Sequence, residues 1–227
     1  MKMLSLDTSS NAGSIVLSED ETILGEININ STQTHTVRLL MGVDTLLKST
    51  GCRLDDLDAL ATICGPGSFT GIRIGLTTVK GLADTLSKPI VSMTAFEAWV
   101  EKFPNNEGVV VPLVDARRGE VYAAIYQRKG KEVQILSPGT AGKPQSIFSL
   151  IRHEKVTFVG DGVQQYQNLI LTEDRPGWSV CASNPFLGRA MTRIGCRRVS
   201  LKEYTSPQDL KAYYIRKSDA ELYWKER

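Results

Sequence analysis

The chain has 227 residues, 41% of them hydrophobic and 23% charged, the make-up of an ordinary globular protein, which excludes a disordered chain, a collagen-like chain and a coiled coil. Its formal charge is +2, from 27 Lys and Arg against 25 Asp and Glu, so there is no strong electrostatic case for autonomous nucleic-acid binding. The charge is uneven, however: from Arg189 to Arg227 ten Lys and Arg face five Asp and Glu, a net of +5, while the first 188 residues carry −3.

In chain order, two apolar runs, 3–7 and 13–17, flank the polar turn Thr8-Ser9-Ser10-Asn11, the pattern of two adjacent antiparallel strands. Residues 23–29 alternate as a third strand. Val37, Leu40, Val43 and Leu47 fall at helical spacing, which predicts a helix over 36–48 stopped at Gly51. The short apolar run 59–64 reads as a buried strand. It leads through Gly65-Pro66-Gly67-Ser68-Phe69-Thr70-Gly71 into a second helix ending near Leu86, before Pro89. A strand at 90–93 and a helix capped by Thr94 and ending at Lys102 close the first half.

Phe103-Pro104-Asn105-Asn106-Glu107-Gly108 clusters turn formers and marks the domain boundary, giving subdomains 1–103 and 104–227 with the last helix packing back on the N-terminal half. Beyond it, a strand over 109–114 ends in Asp115, and Ala116-Arg117-Arg118-Gly119 turns the chain into a strand over 120–126. The plan of apolar strand, terminal Asp, polar turn and apolar strand thus occurs at Asp7 and again at Asp115, and reads as an internal duplication. Strands over 132–136 and 156–159 and helices near 145–152, 163–171 and 185–194 follow. Strands alternating with helices make the fold α/β. The stretch from Pro207 to Arg227 is polar with an aromatic cluster, Tyr213, Tyr214, Tyr223 and Trp224.

The cysteines (Cys52, Cys64, Cys181, Cys196) are scattered without a C-x-x-C pair. Cys64, inside an apolar run, is expected to be a buried reduced thiol. Asp7 interrupts the N-terminus before a signal sequence can form, and no run approaches the roughly eighteen apolar residues of a bilayer span. A cytoplasmic, reducing location is expected.

Three turns at strand ends have ligand-binding character: Asp7-Thr8-Ser9, Gly65-Pro66-Gly67-Ser68 and Gly160-Asp161-Gly162. Ligands of open α/β sheets bind at such ends. In the second turn, the glycines let backbone amides approach an anion at a helix N-terminus, and Ser68 or Thr70 can cap the helix. The loop is no Walker motif. A capped strand-to-helix turn without a ligand accounts for it equally well. His35 and His153, far apart, offer no metal pair. His35 reads as a capping or interface residue, and Asp55-Asp56 as a solvated loop pair.

Leu6-Asp7-Thr8-Ser9, the block from Gly65 to Gly75 (GPGSFTGIRIG), Lys80-Gly81-Leu82-Ala83, the block from Asp115 to Tyr122 (DARRGEVY) and the block from Tyr214 to Glu221 resemble the TsaB (YeaZ) family, in order and over nearly the whole chain. The family's proline before the last block is Ala212 here. The resemblance implies the duplicated actin/sugar-kinase/Hsp70-like (ribonuclease H-like) fold and a non-catalytic subunit of the tRNA threonylcarbamoyladenosine-forming complex. Such a subunit binds and stabilises the catalytic protein TsaD directly, has the ATPase TsaE as a further partner, forms a homodimer when alone, and meets tRNA only through the complex. No membrane partner is implied. ATP and magnesium belong to the assembled complex, and no cofactor, metal or catalytic residue is assigned to this chain. Asp7, Thr8, Ser9, Gly65, Pro66, Gly67, Ser68, Asp115, Gly160 and Gly162 then stand as a vestigial nucleotide or phosphate site. The helices over 36–48 and 72–86 stand as the dimerisation pair, with His35, Val37, Leu40, Ile72, Arg73, Gly75 and Val79 at the interface. Gly71 and Gly75, four apart, would allow close helix approach. The competing readings are a stand-alone phosphotransferase holding Mg²⁺ on Asp7 and phosphate on Gly65–Gly67, a metalloprotease-like enzyme, disfavoured for want of an H-x-x-x-H pair, and direct tRNA binding by the 189–227 tail.

Overall fold

The computed structural model describes residues 1–31 and 35–216, with the side chains of 35–37 excepted. The chain forms two compact units, Met1–Lys102 with Asn184–Ala212, and Phe103–Ser183 with the segment after it from Tyr213.

In the first unit, β1 (Lys2–Asp7), β2 (Ala12–Glu19) and β3 (Thr22–Asn30) form an antiparallel meander, and β4 (Ala59–Gly65) and β5 (Ile90–Thr94) extend it in parallel, in the order β3-β2-β1-β4-β5. β1 and β2 are buried along nearly their whole length, the pattern of strands covered on both faces. Leu4, Leu6, Ile15 and Leu17 pack with α1 (His35–Thr50) and α2 (Phe69–Leu86) through Leu39, Val43, Leu46, Ile72, Leu76 and Val79. α3 (Ala95–Lys102) and α6 (Gly188–Ser200) pack together, with α6 also against β1, β2, β4 and β5. α3 begins with a reciprocal capping box: the Thr94 amide donates to Glu97 Oε2 at 2.7 Å and the Glu97 amide to Thr94 Oγ1 at 3.1 Å.

In the second unit β6 (Gly108–Arg117), β7 (Glu120–Lys129) and β8 (Glu132–Gly142) form the meander, and β9 (Val156–Val159) and β10 (Trp178–Val180) the parallel extension, in the order β10-β9-β6-β7-β8. Read from the meander outwards this is the order of the first sheet, so the duplication inferred from the two Asp-ended strands extends to the whole sheet topology. α4 (Pro144–Leu150) and α5 (Gly162–Thr172) cover a core centred on Phe148, Phe158 and Trp178, whose rings lie 5.0–5.6 Å apart.

Several expectations change. β10 has no counterpart in the sequence reading: three residues are too few for a periodic signal, and Trp178 makes the strand by filling the aromatic core. Asp55 and Asp56 are exposed, as expected, but lie in a short 3₁₀ turn, where Asp56 accepts from the Arg53 amide at 2.8 Å. β8 continues to Gly142 with irregular pairing to β7. The helix expected over 185–194 begins at Gly188 and continues to Ser200, and the whole of Asn184–Ala212, not the last helix alone, lies in the first unit. Its arginines explain why. Arg193 and Arg197 pair with the buried Glu101 of α3 at 3.2 and 3.3 Å, and Arg198 pairs with Glu97. Arg189 pairs with Glu26 on β3 at 3.2 Å. In the second unit Arg216 pairs with Glu120. Five of the ten cations behind the +5 stretch are thus paired within the chain, with four carboxylates because Arg193 and Arg197 share Glu101, which removes most of the ground for a basic RNA-binding tail; residues 217–227 lie outside the described residues.

All four cysteines are free. Cys64 is partly rather than fully buried, and burial pushes its thiol up to about 11. Among the described residues no helix is long and apolar enough to cross a membrane.

Candidate functional site

In the first unit, the residues singled out at the ends of β1 and β4 meet at the start of α2. Asp7 is buried, and its Oδ1 accepts from the Ser9 amide at 2.8 Å and Ser9 Oγ at 2.7 Å. That fixes Thr8 and Ser9 as a tight turn, which docks on the helix. The Ser68 amide donates to the Ser9 carbonyl at 2.7 Å, and Thr8 Oγ1 to the Gly71 carbonyl at 2.7 Å. Ser68 is the N-cap of α2, its Oγ accepting from the Gly71 amide at 3.2 Å. Pro66 follows a cis peptide bond.

The glycines of this block have one common cause. A Cβ at Gly67 would stand 2.2 Å from the Ser9 carbonyl oxygen, one at Gly71 2.0 Å from that of Thr8, and one at Gly75 2.4 Å from Thr8 Oγ1. The three side-chain-free positions, four apart, are the bed on which the Asp7–Ser9 turn lies. Gly75 is therefore closed by its own unit and not open to a partner helix, and the same holds for Gly71. Two of the amides that an anion loop would present, those of Ser68 and Gly71, are occupied by Ser9 and Ser68. The geometry is that of the capped turn.

The remaining interface candidates divide by side of the helix. Ile72 is 1% exposed and Val79 0%, both in the core of their own unit, so neither is at the surface; the apolar face of α2 is covered by the sheet. Arg73 faces outward, its guanidinium 3.8 Å from the centre of the Phe69 ring. On α1, Leu40 and its neighbour Met41 are 56% and 64% exposed. The side chains of His35 and Val37 lie outside the described residues.

In the second unit Asp115, Gly160 and Gly162 also come together, at the C-terminal ends of β6 and β9. A Cβ on Gly160 would stand 2.0 Å from the Leu113 carbonyl oxygen, at a φ of +124° that side chains rarely adopt. This close approach delivers Asp161, whose Oδ1 accepts from the Asp115 amide at 3.1 Å, while Asp115 Oδ1 accepts from the Arg117 amide at 2.8 Å. Burial pushes the Asp161 carboxyl up to about 6; backbone amides of Asp115, Gly162 and Asp161 oppose the shift, and the Asp115 charge adds to it. Nearby, burial and then the Asp115 charge raise the Tyr166 phenol, whose hydroxyl has no hydrogen-bond partner among the described residues. Neither Asp161 nor Tyr166 was picked out as a site residue from sequence, because a G-D-G turn shows nothing of the depth at which its aspartate is held.

This carboxyl has a measurable consequence. An unfolded aspartate titrates near 3.9, so the folded chain holds the Asp161 proton more tightly. The group therefore favours folding most below about pH 4, and this contribution fades as pH rises to about 6. Asp161→Asn, which keeps the acceptor oxygen, is expected to flatten that fall in urea midpoints between about pH 4 and 6; an unchanged slope would contradict the burial argument.

Among the described residues no three His, Cys, Asp or Glu side chains cluster to hold a metal ion.

The family model described as "TsaD: tRNA N6-adenosine threonylcarbamoyltransferase" matches residues 22–194. A Bacillus subtilis protein described as tRNA threonylcarbamoyladenosine biosynthesis protein TsaB is 29% identical, over 99% of this chain and 98% of its own length. The Escherichia coli protein of the same description is 37% identical over 74% of this chain and 75% of its own. Among solved structures, YeaZ from Pseudomonas aeruginosa superposes with a TM-score of 0.79 at 25% identity, covering 94% of this chain and 99% of that one. A putative N-acetylmannosamine kinase from Listeria monocytogenes, at TM-score 0.51 and 9% identity over 89% of this chain and all of its own, shares the fold alone. The architecture is accordingly the duplicated actin/sugar-kinase-like one.

Proposed function

The chain belongs to the TsaB (YeaZ) family, and from that premise we propose that it serves tRNA threonylcarbamoyladenosine formation in the cytoplasm as a non-catalytic subunit, bound directly to a TsaD-type threonylcarbamoyltransferase. The observation that carries the reading is the closed loop at the start of α2. The chain has the transferase's fold, yet two of the amides that would meet a phosphate are bonded to Ser9 and Ser68, and the space over Gly67, Gly71 and Gly75 is filled by the Asp7–Ser9 turn. A fold kept whole while its ligand loop is closed suits a scaffold.

The partner face is the outward side of α1 and α2. Leu40 and Met41 are apolar, adjacent and more than half exposed, and Arg73 stands at the start of the second helix. A twofold pairing of these helices with a TsaD-type protein of like fold, or with a second copy when no partner is present, follows the logic of isologous contacts. TsaE joins as a further partner, ATP and magnesium act in the assembled complex, and tRNA is met only there, in keeping with the ion-paired arginines of α6.

The test is to mix the purified chain with its cognate TsaD-type protein at about 10 µM, below which many transient complexes dissociate, and follow size-exclusion chromatography with light scattering. A one-to-one complex is expected, and separate elution would overturn the reading.

A further inference from the structure

At the outer end of the first sheet the structure has a polar cavity of about 280 Å³, whose wall includes Glu26, Asn28, Lys102, Asn184, Arg189 and Arg193. Its charges do not balance. Arg189 Nε pairs with Glu26 Oε2 at 3.2 Å, and Arg193 Nε with Glu101 at 3.2 Å, a carboxylate it shares with Arg197, so both guanidinium groups have a bonded counter-charge. Lys102 is different. Its ammonium donates to the Asn184 carbonyl, to Asn184 Oδ1 at 2.9 Å and to the Phe186 carbonyl at 2.6 Å, all uncharged oxygens, and it lies 5.0 Å from the centre of the Trp99 ring. No carboxylate lies within ion-pair distance of it among the described residues. The cavity wall thus holds one full positive charge in a fixed position without a bonded counter-charge, and Asn28 and the two arginines add further donors. The hydrogen bonds to neutral oxygens offset part of the cost of burying this cation but leave its charge unmatched.

We propose that this cavity is a binding site for one small oxyanion, with Lys102 as its principal charge and Arg189 and Arg193 beside it. The volume fits a phosphate or a short carboxylate and is below that of ordinary drug-sized pockets. The site is separate from the α1–α2 face and from the α2 loop, and its test needs no partner protein. Burial lowers the Lys102 ammonium to about 8, against the more distant negative charges of Glu26 and Asp7, which raise it. An anion needs the protonated lysine, so binding is strongest below pH 8 and weakens above it.

Calorimetry on the full chain, with inorganic phosphate and separately malonate as probes in a chloride buffer, distinguishes the two oxyanion classes. One saturable site is expected for at least one of them. Lys102→Met should weaken it by about tenfold or more, because the three N–H donors already serve Asn184 and Phe186 and what the variant removes from the site is the attraction of a nearby unit positive charge. Glu26→Gln, which keeps an acceptor for Asn28 but removes the negative charge from the wall, should tighten it severalfold. The opposite signs separate a site from a folding defect, because loss of structure cannot tighten binding. No saturable binding of either probe, or equal affinity in wild type and both variants, would overturn the proposal.

Discussion

Leu40→Glu with Met41→Glu is expected to leave the chain folded and its thermal midpoint nearly unchanged, while weakening association with a TsaD-type partner at least about a hundredfold. Both side chains are more than half exposed in the chain by itself, and exposed substitutions usually change stability by no more than about 0.5 kcal/mol. In the proposed interface the same positions are central. Burying two unpaired carboxylates between helices costs several kcal/mol, and about 2.7 kcal/mol already makes a hundredfold change in affinity. Analytical ultracentrifugation of the mixture reads the affinity and circular dichroism the fold. Wild-type affinity in the double variant would move the interface elsewhere on the surface.

The second large effect concerns three glycines on one helix. Gly71→Ala puts a methyl 2.0 Å from the backbone oxygen of Thr8, and neither the helix nor the Asp7–Ser9 turn has a side chain that can give way. A loss of about 3 kcal/mol or more is expected, at the upper end of overpacking costs. Gly75→Ala meets only the Thr8 hydroxyl, at 2.4 Å. That side chain can rotate, with loss of its bond to the Gly71 carbonyl, so about 1–2 kcal/mol is expected. Gly81 is exposed, and a methyl placed on it would have nothing within 4 Å. It should behave as an ordinary helical glycine, and Gly81→Ala should stabilise by about 0.5–1 kcal/mol. Urea denaturation checks the order. If Gly71→Ala were as stable as wild type, the turn would not rest on the helix as described.

Much of the fold was readable because its signals are local. The Thr94 cap, the β1–β2 turn and the second helix, expected over 72–86 and found over Phe69–Leu86, depend on residues three or four apart, and the repeated Asp-ended strand exposed the duplication. What was not readable depends on distant partners. The last helix was expected to pack back on the N-terminal half, but not the ion pairs that hold α6 there: Arg193 and Arg197 meet Glu101, 92 and 96 residues earlier, and nothing in the run of arginines distinguishes paired cations from free ones. Lys102 ends α3 as many lysines end helices, and only the fold brings Asn184 and Phe186 to it. The glycine spacing in α2 was visible, but a four-residue repeat says that something approaches closely without saying what. Here it is the chain's own Thr8 and Ser9, where a partner helix was expected. Ile72 and Val79 were misplaced for a related reason: an amphipathic helix shows which side is apolar, not whether its own sheet or another protein covers it.

The most direct test of the non-catalytic role is reconstitution with unmodified tRNA, ATP, threonylcarbamoyl donor, the TsaD-type transferase and TsaE, omitting one protein at a time and measuring threonylcarbamoyladenosine by mass spectrometry of the digested tRNA. A non-catalytic subunit gives no product without the transferase, and leaving it out causes a large loss of product. Product formed by this chain in the absence of the transferase, or full activity of the mixture without this chain, would contradict that role.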